Sequence, residues 1–184
     1  MSNLRRLLVL FAVLALTSVG LAGTATSASA SVPGSKILSY SYIGQSYEWD
    51  CGPTSGQMVM SQWGISTSKQ EMIDLMGADG NGADSVANVI YALNHKIGRA
   101  WYRTVYINGS TATGAQKATF KQDLLDDIAT YGHAFIANVV GSQPDTSGLC
   151  HSGSIARVAD PAYGNYWMNT STLADWVAER GYAI

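Results

Sequence analysis

The chain has 184 residues, with thirteen acidic against eleven basic side chains and a formal charge of −2 at pH 7. That length supports one domain with a sizeable core, and the lack of a basic patch in the sequence argues against nucleic acid or an anionic membrane surface as partner. The charged fraction is low at 13%, with five Trp and ten Tyr, a composition that fits a compact extracellular protein with aromatic-lined surfaces.

Residues 1–30 read as a secretory signal peptide. Arg5 and Arg6 form a short basic region, Leu7 to Leu16 an apolar core too short to span a bilayer, and Ala28-Ser29-Ala30 an A-x-A cleavage site. The paired arginines admit a twin-arginine route, but the rest of that signal is weak and the general secretory route fits better. Cleavage after Ala30 leaves a single domain of residues 31–184, secreted, with nine basic and thirteen acidic side chains and a formal charge of −4. No later apolar run is long enough to span a membrane.

Residues 31–44 are small and polar, with Ile37, Leu38, Tyr40, Tyr42 and Ile43 among them, and read as an extended segment delivering Gln45. The stretch from Gln45 to Met60 reads as a nucleophile site. Cys51 followed by Gly52 and Pro53 predicts a turn feeding a helix, because Pro is tolerated in a first turn where its missing N–H costs nothing. The unpaired N–H groups there carry partial positive charge, which favours thiolate over thiol and makes the sulfur a nucleophile near neutral pH. Gln45, six residues upstream, places a carboxamide where it can join the Cys51 N–H in donating to an oxyanion.

The first helix is expected to run to Trp63, packing Met58, Val59, Gln62 and Trp63 inward and stopping at Gly64. Ser66-Thr67-Ser68 are cap candidates for a second helix, with Met72, Ile73, Leu75 and Met76 as its apolar stripe up to Gly77. Residues 77–82 form a loop with a faint calcium-loop pattern that lacks the bidentate Glu. A third helix is expected over Ser85–Asn94, with His95 just beyond it, where a histidine ordinarily meets free carbonyls.

Trp101 to Ile107 alternates like a strand. Thr119 to Tyr131 reads as an amphipathic helix, with Phe120, Leu124, Leu125 and Ile128 on one face and Asp123, Asp126 and Asp127 on the solvated one. Gly132 ends it, and His133 to Val140 is the strongest strand pattern in the chain. After Pro161 a turn at Gly164-Asn165 and a short strand around Tyr166–Met168 precede a final helix, Leu173 to Arg180. Thr170 or Ser171 is its cap, Leu173, Trp176 and Val177 face inward, and Gly181 closes it.

Gln45, Asp50-Cys51-Gly52-Pro53-Thr54 and Met58 together resemble the nucleophile segment of papain-like cysteine peptidases, in the version found in the bacteriocin-processing, double-glycine leader peptidase family and its secreted relatives. Ala159-Asp160-Pro161 resembles the segment carrying that family's third catalytic residue, and Tyr166 to Trp176 resembles the C-terminal part of the secreted relatives. The resemblance implies an α+β papain-like fold, a helical layer bearing the nucleophile packed on an antiparallel sheet. It also implies a secreted cysteine peptidase. Cys51 would attack a carbonyl, Gln45 and the Cys51 N–H would hold the oxyanion, His151 would move the proton, and Asp160 would orient the imidazole. Such a protein acts on a peptide or protein substrate, needs no metal or organic cofactor, and is expected to be a monomer.

The spacing of the last two residues departs from that pattern. In the family the histidine begins one strand and the Asp-Pro ends the next, which needs roughly fourteen residues at ordinary strand lengths. Here eight separate His151 from Asp160, so the hairpin is either compressed around Gly153 or partly deleted. A second function therefore stands beside the first: a catalytically inactive peptide-binding or structural module on the same scaffold. Cys51 and Cys150 both remain after export, and a disulfide between them would stabilise the fold by about 4 kcal/mol in the chain-entropy model. The Gln45 spacing and the Gly-Pro context are unneeded for a staple and favour a thiol with chemistry.

Overall fold

A computed structural model of the chain describes residues 36–139 and 155–184. The segment read from the sequence as a signal peptide, Cys150 and His151 lie outside the described residues. The described part is α+β.

A helical layer comes first, formed by α1 (Cys51–Gln62), α2 (Lys69–Met76) and α3 (Val86–Ile97). Ser68 caps α2 by accepting from the Glu71 N–H and Ser85 caps α3 by accepting from the Asn88 N–H, while Gly77 and Gly98 take the left-handed conformation that ends each helix. Val59, Met60, Met72, Met76 and Leu93 are buried where the three helices meet. Gly56 permits that packing: a Cβ there would lie 2.5 Å from the Met72 methyl and 2.7 Å from that of Met76.

The second half holds β1 (Thr104–Val105), α4 (Gly114–Leu124), a π-helical turn over Leu125–Tyr131, β2 (Ile136–Ala137), β3 (Ile155–Asp160), β4 (Gly164–Asn169), α5 (Thr170–Trp176) and β5 (Tyr182–Ala183). β5 lies between β1 and β2, antiparallel to both, and β3 pairs with β4 in an antiparallel hairpin running from Ile155 opposite Asn169 to Asp160 opposite Gly164. Its core gathers Phe120, Leu124, Met168, Leu173, Val177 and Tyr182. Phe120 meets both Phe135 and Tyr182 edge-on with ring centroids about 5 Å apart, the arrangement aromatic quadrupoles favour.

Several elements differ from the sequence reading, each for a visible reason. The strands expected over 101–107 and 133–140 shrink to two residues each within the described range. Side chains take the backbone bonds that a ladder would have used. Asn94 Oδ1 accepts from the N–H groups of Trp101 and Tyr102, and its Nδ2 donates to the Tyr102 carbonyl. Gln62 likewise donates to the Gly132 carbonyl and accepts from the Ala134 N–H. α3 continues past Asn94, so His95 lies inside its last turn.

The helix expected from Thr119 begins five residues earlier, where Thr113 and Gln116 form a reciprocal capping box. From Leu125 it widens into the π-helical turn, which carries Asp127 off the solvated face into a site only 6% exposed. α5 starts at Thr170 and ends at Trp176, capped by Asn169, whose side chain accepts from the Ser171 N–H. Asn165 stands in β4 opposite Ala159, so the turn falls on residues 161–163.

Gly181, which leads into the central strand β5, has φ +81°, and a Cβ there would sit 2.5 Å from the Val105 carbonyl oxygen. Backbone cannot yield as a flexible side chain does. Gly181→Ala is therefore expected to destabilise the protein by about 3 kcal/mol, a fall of roughly 10 °C in the melting temperature for a domain of this size. A thermal melt showing a fall under 2 °C would contradict this account.

Candidate active site

Cys51 is the first residue of α1, with Asp50 at the N-cap, and its thiol is free and exposed. The N–H groups of a helix's first turn have no acceptor within the helix. An N-cap aspartate commonly accepts from the third helical N–H, but here that position is Pro53, which has none. Asp50 makes no cap bond. Its carboxylate turns backward and accepts from the Ser46 N–H at 3.1 Å and the Tyr47 N–H at 3.3 Å. The N-terminal N–H groups beside the thiol are thus left uncapped by the residue that would ordinarily cap them.

Asp50 is fully buried. Lys69, the first residue of α2, donates to it at 2.9 Å and to the Ser46 hydroxyl at 2.9 Å. Burial alone would push the Asp50 carboxyl up, but the Lys69 ammonium and the two loop N–H groups more than offset it and hold the group below the usual carboxylate range.

Gln45 is placed by its backbone: its N–H donates to the Pro161 carbonyl at 2.9 Å. Its side-chain oxygen is buried without a hydrogen-bond partner among the described residues, so the scaffold does not consume the carboxamide's acceptor. Tyr42, on the segment leading to Gln45, donates to the Asp160 carbonyl at 3.0 Å. The fold therefore brings the Asp160-Pro161 end of β3 onto the strand of chain that carries Gln45, while Asp50 ties the same loop to Cys51.

The Asp160 carboxylate is already engaged. Oδ1 accepts from the Ala162 and Tyr163 N–H groups at 2.8 and 3.1 Å, and Oδ2 from the Tyr166 hydroxyl at 3.0 Å. A carboxylate has about four lone-pair sites, so one acceptor position remains for an imidazole. Burial and the adjacent Asp160 charge push the Tyr166 phenol up, beyond its ordinary range. That keeps it a neutral donor.

Neither described histidine stands beside Cys51. His133 stacks face to face on Trp63 with ring centroids 3.6 Å apart, and Trp63 is the C-cap of α1, about 18 Å along the helix from Cys51 at 1.5 Å per residue. Burial first, then the Arg99 and Lys36 charges, pull His133 below the ordinary histidine range. His95, in the last turn of α3, stacks on Tyr91. The helical face one turn beyond Cys51, with Ser55, Met58 and Gln62, walls a cavity of about 520 Å³ closed on other sides by Leu38, Leu124 and Phe135.

Sequence reasoning named Cys51, Gln45, His151 and Asp160; it quoted Asp50 only as part of the nucleophile segment, without its contacts, and did not name Lys69. The available signal was Pro53 three positions after Asp50, which removes the usual partner of the cap and forces the carboxylate to find another.

A family model described as the Peptidase_C39 like family matches residues 37–183. The chain belongs to that family, and its α+β fold is the papain-like one. The family is of cysteine-peptidase-like proteins. No curated protein matches the chain.

Proposed function

We propose that this chain is a secreted cysteine peptidase that hydrolyses peptide amide bonds. Cys51 attacks the scissile carbonyl, the Cys51 N–H and the Gln45 carboxamide hold the oxyanion, His151 takes the thiol proton and delivers it to the leaving amine, and Asp160 orients the imidazole through its remaining lone pair. The observation that carries this reading is the exposed free thiol at the start of α1, beside N–H groups that Asp50 does not cap. Export rests on the basic, apolar and A-x-A segments of residues 1–30. The substrate is a peptide or an unfolded protein segment, and the protein acts as a monomer without a cofactor.

One observation favours a second reading, the inactive peptide-binding module. β3 is a single extended strand over Ile155–Asp160, which carries the chain about 17 Å. Four residues reach at most about 14 Å, so a His151–Asp160 contact demands a full reversal of the chain directly before Ile155.

The two readings separate in one experiment. Mature protein of residues 31–184 is incubated with a quenched-fluorescent peptide library while Cys51 is titrated with iodoacetamide. For a peptidase, hydrolysis falls in proportion to Cys51 alkylation, and His151→Ala lowers kcat by about 10³-fold. Hydrolysis that is absent while the Cys51 thiol is unmodified favours the module, and hydrolysis that survives complete alkylation removes Cys51 from the reaction.

A further inference from the structure

The loop between the oxyanion donor and the nucleophile is closed by two residues that the reaction does not use. We propose that Asp50 and Lys69 are positioning residues for the hydrolysis, a clamp that fixes Gln45 against Cys51. This rests on the peptidase reading of the site.

The geometry is that of a double closure. Asp50 accepts from the Ser46 and Tyr47 N–H groups at the start of the loop, the two residues that follow Gln45. Lys69 then bridges both ends from α2, bonding Asp50 Oδ2 and the Ser46 hydroxyl at 2.9 Å each. Ser46 is the immediate neighbour of Gln45 and Asp50 that of Cys51, so the clamp joins the two residues whose donors must converge on one oxygen. A donor displaced by about 1 Å loses much of its effect on a developing oxyanion.

The charges matter as well as the contacts. An unpaired carboxylate on the residue adjoining the nucleophile would disfavour a thiolate there, since like charges repel. Lys69 pairs the Asp50 charge at 2.9 Å. α1 and α2 pack directly on one another through Gly56, so the ammonium is presented by a rigid element, and its side chain is 23% exposed. Because Pro53 denies Asp50 its usual cap partner, the carboxylate serves the clamp and leaves the Cys51 N–H free to donate to substrate.

The test compares mature wild-type protein with Cys51→Ala, Lys69→Met and the double variant Asp50→Asn/Lys69→Met. Hydrolysis of a quenched-fluorescent peptide gives kcat and KM, and mass spectrometry follows iodoacetamide alkylation of Cys51 from pH 5 to 9. Lys69→Met is expected to lower kcat by about 30-fold with KM within twofold, and to move the alkylation midpoint up by about one pH unit. A merely structural lysine would leave that midpoint in place.

The double variant removes the uncompensated charge but keeps an acceptor for the two N–H groups. It is expected to return the midpoint to the wild-type position with kcat about fivefold below wild type. Lys69→Met with unchanged kcat and an unmoved midpoint would overturn the clamp. If Lys69→Met does not fold, the double variant decides, and wild-type kcat in it rejects the clamp. If wild type shows no hydrolysis, or Cys51→Ala retains it, the peptidase reading fails and the positioning role fails with it, whereas an unmoved midpoint and unchanged kcat in Lys69→Met beside an active wild type reject the clamp alone.

Discussion

Cys51→Ala is expected to abolish peptide hydrolysis, a loss of about 10⁴-fold or more in kcat, while leaving the fold in place. Removing the nucleophile removes the covalent route altogether, and the residual rate from substrate positioning lies orders of magnitude lower. The thiol is exposed, so its replacement opens no cavity, and the unfolding free energy should change by under about 0.5 kcal/mol. Gln45→Ala provides the graded companion: about 10² to 10³-fold in kcat, the cost of one oxyanion donor, with KM little changed because the ground-state carbonyl makes less use of it. Gln45 is placed through its backbone N–H on Pro161, and alanine keeps that bond. Kinetics on both variants, with thermal melts beside them, separate chemistry from stability. Equal kcat in Gln45→Ala and wild type would remove Gln45 from the site.

The helical layer is the part of the fold most open to reading, because its boundaries rest on local chemistry. Ser68, Ser85 and the left-handed glycines at 77 and 98 act within a few residues of themselves, and so does the start of α1 at Cys51. The strands are misjudged for the opposite reason. Whether Trp101 or Ala134 joins a ladder depends on Asn94 and Gln62, whose side chains reach from helices to take those backbone groups. Alternation in a sequence records which side chains face a core, not who satisfies the backbone.

The site divides along the same line. The placement of Cys51 at a helix start is legible because a cysteine followed by Gly-Pro is a short-range pattern. The contact between Asp50 and Lys69 is not, since Lys69 is nineteen residues from Asp50 and meets it only once α1 and α2 pack. Asp160 is identified through its Asp-Pro context, yet its engagement by Tyr166 follows from the register of a hairpin that turns after Asp160. The resemblance implies a hairpin before it, the eight residues after His151 allow one strand or two very short ones, and the described part of that stretch is the strand β3 over Ile155–Asp160.

Asp127 yields the largest expected effect on stability. The sequence pattern puts it on the solvated face of an amphipathic helix, but the π-helical turn buries it to 6% exposure, and Oδ2 has no hydrogen-bond partner among the described residues. Burial first, then the negative charges of Asp123 and Asp126, push its carboxyl up from 3.8 to about 7, and the Arg103 guanidinium pulls the other way without offsetting them. Between those two values the folded protein holds a proton that the unfolded chain has released. Stability attributable to this group therefore falls as pH rises through that window, and the loss is complete above about pH 7. The shift corresponds to about 4 kcal/mol at most. An asparagine in its place would be neutral at every pH and nearly the same shape. Urea denaturation should accordingly find Asp127→Asn about 1.5 kcal/mol more stable than wild type at pH 5 and up to about 4 kcal/mol more stable at pH 8. Taking the difference between the two proteins cancels His133, whose lowered proton affinity gives the opposite slope at the acid end of the range. Working at pH 5 and above also keeps the measurement clear of Asp50, whose contribution is lost only as pH falls below the ordinary carboxylate range. No gain at pH 8 would mean that Asp127 ionises freely in the folded protein, with Arg103 rather than burial governing its charge.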